Sequence, residues 1–408
     1  MKDNFNPKVC GIIAEYNPFH NGHAWQIEKL RREFGMDIII AAMSGGFTQR
    51  GEPAIADKHS RAMLAAVGGV DLVIELPAVF ALRSAQDFAR GGADLLQKAG
   101  AKFLAFGAEN ADKNMLTKIA AAIDATTTQE KLRKNIKAGQ SYAAALTETL
   151  ELTADKDVLR QPNNILAVEY LRAVNRLENN LTPIVLPRMG AGHNETKITE
   201  GAASGAALRK TLFADEPPWD KIAGAVPSQT LNNLRENRDY PQEERLFRAV
   251  AAKIADDSWN GEDIFGLNEG LGDRLKKAAK TAASLAQIID MASAKRYPKS
   301  RIRRALCHIM LNFAADETAE FDKAGAKYIR VLAFNDRGRL WLKKIKSLSP
   351  APIVNRLAKF IRHDADNTAR RMIAKDVAAA DLQELCRAAP LPRGRDFVAS
   401  AMYIKRND

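Results

Sequence analysis

VCGIIAEYNPFHNGHAWQ, running from Val9 to Gln26, is the stretch on which the reading of this chain turns. Val9–Ala14 is a short run of β-branched and small apolar residues, the composition of a strand buried on both faces. A turn of the form HxGH follows (His20-Asn21-Gly22-His23), and then an apolar-periodic stretch, Ala24–Phe34, that reads as a helix. The glycine lets the backbone approach a phosphate closely, and the helix that begins there presents unpaired N–H groups to an anion. Two imidazoles on such a turn can donate N–H hydrogen bonds to a triphosphate as charge moves onto it during displacement at the α-phosphorus. His20 and His23 are therefore the candidate catalytic residues. They suit zinc less well, because HxxH supplies two ligands and no obvious third lies nearby, so no protein-held metal is expected.

Outward from this turn, strand-like runs recur at Ile38–Met43, Val70–Leu76, Phe103–Phe106 and Thr182–Leu186. Helix-like stretches separate them at Asp57–Val67 and Phe80–Ala99, and residues 112–180 are rich in Ala and Leu. Near-continuous apolar strands alternating with helices predict an α/β fold, a Rossmann-like parallel sheet covered on both faces over residues 1–215. Such a sheet binds ligands beyond the carboxyl ends of its strands. The pattern changes at Pro217–Pro218; from Trp219 onward nearly every stretch has helical periodicity, broken at Gly261–Gly272, Ser347–Pro352 and Pro390–Pro392. Residues 216–408 are read as a basic, mainly helical region.

The 408 residues are 46% hydrophobic and 27% charged, which excludes collagen-like, mucin-like and wholly disordered classes. No apolar run approaches the roughly 18 to 20 residues of a membrane span, and MKDNFNPKVCGII lacks the apolar stretch of a secretory signal. Cys10, Cys307 and Cys386 are too few and too scattered for a disulfide framework or a CxxC zinc site, so the chain reads as cytoplasmic; neither membrane association nor an obligate protein partner is expected. Charge is distributed unevenly. Residues 1–215 hold 26 basic and 24 acidic side chains, residues 216–408 hold 35 and 25, and residues 271–350 alone hold 18 and 7. A surplus confined to one half suits a polyanion held there. In KRYPKSRIRRAL the basic residues Lys295, Arg296, Lys299, Arg301, Arg303 and Arg304 surround Tyr297, which could stack on an unpaired base; Lys343, Lys344 and Lys346 form a second cluster. A solvated helix face would account for either cluster as well.

The HxGH turn resembles that of the HIGH-type nucleotidyltransferases. Its setting, AEYNPFHNGH followed by MSGGFTQRGEPAIADKHSRA (Met43–Ala62), is similar to one family among them, the bacterial tRNA(Met) cytidine acetate ligases. The similarity continues through Glu75–Gly92, FGAEN (Phe106–Asn110), QPNNILAVEYLRA (Gln161–Ala173), LPRMGAGHN (Leu186–Asn194), Lys295–Leu311 and Tyr328–Lys346. The resemblance implies a two-step reaction. Acetate and ATP would form acetyl-adenylate, and the acetyl group would pass to N4 of the wobble cytidine of elongator tRNA(Met), with Mg²⁺ accompanying the phosphates. It also implies ATP contacts from Ile13, Ala14, Glu15, Tyr16, Asn17, Pro18, Phe19, His20, Asn21, Gly22, His23, Ala24, Trp25 and Gln26, and from Gly107, Asn163 and Arg188.

The residue types suit those roles. Gly107 ends a strand and leaves space for a base or ribose, Asn163 carries a paired donor and acceptor, and Arg188 offers a planar fork for phosphate or carboxylate. Gly107 could equally close a turn, Asn163 cap the helix beginning near Asn164, and Arg188 sit in a surface pair. Ser44, Gln49 and Arg50 occupy the loop after the second strand, a good place for substrate contacts. Lys58, His59 and Arg61 open a helix, where positive charge opposes the macrodipole; an anionic partner or simple surface tolerance would explain them. Ser204 and Arg209 sit where the family has a phosphate segment, although Gly205, Ala206 and Leu208 depart from its small-polar pattern. A small-molecule adenylyltransferase would use the same HxGH chemistry but has no use for a basic C-terminal half. An aminoacyl-tRNA synthetase would carry a KMSKS-like sequence, which is absent, and a non-catalytic RNA-binding protein would have no need of the intact HxGH, PNN and Arg188.

Overall fold

The structure, a computed structural model, describes residues 7–140, 142–150, 158–177, 181–189, 198, 203–256 and 260–405. Its centre is a sheet in the order β5-β4-β1-β2-β3-β6-β7, with β8 also pairing β6. The parallel part comprises β1 (Val9–Ala14), β2 (Ile38–Ser44), β3 (Leu72–Leu76), β4 (Phe103–Ala108) and β5 (Thr182–Pro187). Every residue of β2 and β3 is buried, which is why these strands read as unbroken apolar runs instead of alternating. Strand order reverses direction at β1, with β2 on one side and β4 on the other, and this leaves a crevice beyond their carboxyl ends.

Helices cover both faces. Helix α1 (Asn21–Arg32) follows β1, and α2 (Lys58–Val67) is capped by Asp57, whose carboxylate accepts from the His59 and Ser60 N–H groups. The helix expected over Phe80–Ala99 is two, α3 (Ala78–Ala81) and α4 (Ala85–Lys98), because Ser84 breaks the first and caps the second. Helix α4 lies close against β1: a Cβ at Gly92 would fall 2.5 Å from the Ile13 side chain. Among the described residues no helix is long and apolar enough to cross a membrane.

Beyond residue 216 the chain is mainly helical, as expected, but it also returns to the sheet. β6 (Ile329–Phe334) pairs antiparallel with β3, and β7 (Ile353–Val354) and β8 (Met402–Tyr403) pair parallel with β6. A six-residue apolar run such as IRVLAF has no period that separates a buried strand from a buried helix turn. The 215/216 boundary therefore marks a change in sequence pattern, while one sheet and one hydrophobic core extend across it.

The same crossing explains the cations at the start of α2. Lys58 and Arg61 are buried. Lys58 Nζ pairs with Glu75 and Asp396, each at 2.6 Å, and Arg330 pairs with the same two carboxylates at 2.9 and 3.0 Å. His59 approaches Asp396 at 3.4 Å. Neither an external anion nor surface exposure is involved: the compensating carboxylates come from β3 and from a segment 338 residues away. Arg61 donates to the carbonyls of Glu15 (2.5 Å), Ser44 (3.1 Å), Ala56 (3.0 Å) and Gly45, and so ties together the carboxyl ends of β1 and β2.

Candidate functional site

A cavity of about 300 Å³ opens where the strand order reverses. His20 forms the N-cap of α1. Its Nδ1 accepts from the Gly22 N–H at 3.1 Å, while its own N–H donates to His23 Nδ1 at 3.2 Å. The two rings stack with centroids 3.7 Å apart, and the Tyr16 ring meets His23 edge-on at 4.9 Å. A nitrogen that accepts a hydrogen bond carries no proton, so each neutral ring must hold its hydrogen on Nε2. Burial, and then the charge of Arg188, push His20 down to about 3; burial, His20 and Arg188 push His23 well below the usual histidine range. The pair is thus two neutral imidazoles, each with Nε2–H as its remaining donor.

Asn17, 4% exposed, anchors the turn from the other side. Its Oδ1 accepts from the Ile55 N–H at 2.7 Å, and its carbonyl accepts from Arg209 at 2.9 Å. Its Nδ2 is buried with no hydrogen-bond partner, in a residue that lines the cavity. Burial raises the pKa of Glu15, which accepts from the Gln49 N–H at 2.8 Å. Arg209 also pairs with Glu52 at 3.1 Å, and Ser204 caps the Gly205–Leu212 helix, whose first turn faces the cavity.

Gly107, Asn163 and Arg188, separated by 56 and then 25 residues along the chain, line this same cavity with the HxGH turn. A Cβ at Gly107 would meet the Arg188 Cγ at 3.5 Å, an ordinary contact, so the glycine keeps the cavity open and is not required by packing. Glu109 organises the Pro162–Arg176 helix. Its carboxylate accepts from the Asn163 N–H (3.3 Å), the Asn163 side-chain amide and the Asn164 N–H (2.8 Å). Asn164 is fully buried and committed inside the fold, to Asn110, Val158 and Gln161, so Asn163 is the one at the cavity. Of the remaining expected residues, Gln49, Arg50, Ser204 and Arg209 reach the cavity, whereas Phe19, Asn21 and Ala24 are not in its lining and Ser44 is buried under the loop. Glu52, Glu109 and Tyr170 were not anticipated; nothing local ties Glu109 to Asn163, 54 residues later. Gly190–Asn194, the end of the LPRMGAGHN stretch, lies outside the described residues. Among the described residues no group of three His, Cys, Asp or Glu could hold a metal ion.

The family model described as HIGH Nucleotidyl Transferase matches residues 7–395. The tRNA(Met) cytidine acetate ligase of Thermoanaerobacter sp. (strain X514) is 34% identical over 400 residues, covering 96% of this chain and 98% of the relative. That of Clostridium kluyveri is 37% identical over 369 residues, covering 86% and 90%. The chain belongs to the tRNA(Met) cytidine acetate ligase family. Its fold is also that of Thermotoga maritima TmcAL, with a TM-score of 0.90 for the apo crystal structure and 0.89 for the one bound with alpha-thio ATP, at 28% identity, 98% of this chain and 100% of that one.

In this ligase-family member the basic segment at 295–304 differs from its sequence reading. Tyr297 is buried and its hydroxyl donates to the Glu269 carbonyl, with Arg301 lying over its ring at 5.1 Å, so no base stacks there while the segment keeps this packing. Arg296 and Arg301 pair with the Glu269 carboxylate at 3.0 and 3.2 Å, Arg303 with Glu243 at 2.7 Å, and Lys299 with Asp290 at 2.5 Å. Arg304 donates to the Gln49 carbonyl at 3.4 Å, in the loop that lines the cavity, and burial lowers its pKa to about 10. Lys295 is exposed. The tyrosine and several of the arginines thus serve to hold the Lys299–Met310 helix in place.

Proposed function

We propose that the chain is an ATP-dependent ligase that activates acetate as acetyl-adenylate and transfers the acetyl group to N4 of the wobble cytidine of elongator tRNA(Met). The observation that carries the reading is the histidine pair, two neutral imidazoles fixed by backbone N–H groups at the N-terminus of α1, in a cavity shared with Gly107, Asn163 and Arg188. In the first step a carboxylate oxygen of acetate attacks the α-phosphorus, and the bond to the pyrophosphate oxygen breaks with its electron pair leaving on pyrophosphate. The Nε2–H groups of His20 and His23 donate to oxygens where negative charge grows, and Arg188 adds a planar cation beside them. The buried Asn17 Nδ2 is assigned to an oxygen of the reacting carboxylate or α-phosphate, the partner its place in the fold lacks. In the second step N4 attacks the acetyl carbon, AMP leaves with the electron pair of the mixed anhydride, and the N4 proton is released. Mg²⁺ would be held by phosphate oxygens and would neutralise the leaving pyrophosphate. A cytoplasmic location, and a tRNA held by the basic region 216–408, belong to the same reading.

The test is transfer of labelled acetate to unmodified elongator tRNA(Met) with ATP and Mg²⁺, repeated with the wobble cytidine replaced. ATP-dependent label that vanishes with the replaced base supports the whole reading. Acetate-dependent AMP release without label keeps the activation step and overturns the acceptor. Neither signal points instead to a small-molecule adenylyltransferase.

A further inference from the structure

A second hollow, of about 390 Å³, lies between the Leu357–His363 helix and the segment Phe397–Ser400, which begins in the last residues of the short Arg395–Val398 helix. Its walls carry Arg356, Lys359, Arg362 and His363, and among the described residues none of these four makes an ion pair or a side-chain hydrogen bond. The arginines at 296, 301 and 303 are all matched by Glu269 or Glu243. Of the acidic neighbours, Asp366 is engaged elsewhere, capping the Asn367–Glu384 helix and pairing with Lys327 at 2.9 Å, and Asp364 lies exposed at the C-terminal end of the Leu357–His363 helix, outside the lining of the hollow, so the cations outnumber the free carboxylate. On the facing wall Phe397 is 46% exposed and Val398 84% exposed.

An aromatic side chain held out into water needs something to keep it there, and this one has it. Asp396, immediately before it, is buried and bound by Lys58 and Arg330. The Gly394 N–H donates to Asp381 at 2.7 Å, and an antiparallel bridge from Arg356 to Ser400 joins the two walls. The backbone that carries the ring is therefore tied down on both sides of Phe397.

We propose that this hollow is a docking site for a single-stranded or looped segment of RNA, with an unstacked base on Phe397 and its flanking phosphates on Arg356, Lys359, Arg362 and His363. Three unmatched cations, Arg356, Lys359 and Arg362, beside an exposed aromatic ring are the pairing that single-stranded RNA requires, since the ring accepts any base face and the cations follow the backbone, with the His363 ring a further hydrogen-bond donor. The inference rests on the RNA-acceptor reading above and locates where that acceptor is held. The hollow adjoins β7, four strands along the sheet from β1, or roughly 19 Å at about 4.8 Å per strand.

The experiment compares the full-length chain with Phe397→Ala, Phe397→Leu and the double variant Arg356→Ala/Arg362→Ala. Binding of unmodified elongator tRNA(Met) is titrated between about 50 and 200 mM salt, with acetate-dependent ATP–pyrophosphate exchange measured in parallel. The double variant is expected to bind tRNA at least about tenfold more weakly, with a salt slope shallower by about one to two units. Phe397→Ala and Phe397→Leu should both weaken binding at every salt concentration without changing the slope, and exchange should stay within twofold throughout. Unchanged tRNA affinity in the double variant and in Phe397→Ala overturns the proposal while leaving the acceptor reading intact. A wild-type chain that binds no RNA overturns both. Weakening by the Phe397 variants alone, with affinity and salt slope unchanged in the double variant, also overturns it, because the phosphates would then not lie on these cations.

Discussion

At His20 and His23 each Nδ1 is already committed to a backbone N–H, so function falls to the two Nε2–H groups. Both rings are kept neutral by burial and by Arg188. A neutral donor stabilises charge that appears only in the transition state without binding the ground-state triphosphate as tightly as a cation would, and this raises turnover. His23→Ala is expected to slow acetate-dependent ATP–pyrophosphate exchange at least about tenfold, with the His20–Gly22 cap retained. Asn17→Asp keeps the acceptor for the Ile55 N–H but replaces the spare donor by a buried anion, and should slow exchange comparably in the folded enzyme while lowering the thermal midpoint. Exchange at the wild-type rate in either variant would remove that residue from the mechanism.

The element that sets the cavity floor is the Pro162–Arg176 helix, and Glu109 holds its first turn. A carboxylate accepts on both oxygens, whereas a glutamine amide presents one acceptor and one donor, so Glu109→Gln leaves at least one of three N–H groups unmatched. The expected cost is about 1 kcal/mol, typical of a lost cap, read as a lower urea midpoint, together with several-fold weaker ATP binding as Asn163 loses its orientation. A loss of stability with unchanged ATP affinity would show that Asn163 does not touch the nucleotide. The starts of β1, β2, β4 and β5 were legible because buried parallel strands are continuous apolar runs, whereas β2, β4 and β5 run one or two residues beyond their expected ends, into the loops that line the cavity. β6 was not, because Ile329–Phe334 sits among helices and its strand identity comes from β3, some 255 residues earlier.

Across the whole molecule, the C-terminal residues are locked to the nucleotide-binding sheet by Lys58, Glu75, Arg330 and Asp396, none more than 4% exposed. Such a network is stable only when complete. Lys58→Met removes one of two cations facing two buried carboxylates and should cost about 3–5 kcal/mol, measured by chemical denaturation. A loss below about 1 kcal/mol would mean that water reaches the network and shares the charge. Because Asp396 also backs the Phe397 turn, the network couples the folding of the C-terminal end to the sheet that carries the HxGH turn.

The sequence by itself determined the parallel α/β core, the HxGH turn as its anion-binding corner, and the family, because each of these is written in residues adjacent along the chain or in a fixed local period. That Gly107, Asn163 and Arg188 converge on one cavity is legible only through resemblance, and the structure supplies the geometry. Tertiary structure alone decided which charges are available. Lys58, Arg61 and the arginines around Tyr297 are matched by acceptors brought in by the fold, whereas Arg356, Lys359 and Arg362 are not. The physical reason is that a charge is silenced by whatever lies within a few ångströms of it, and separation along the chain says little about that distance.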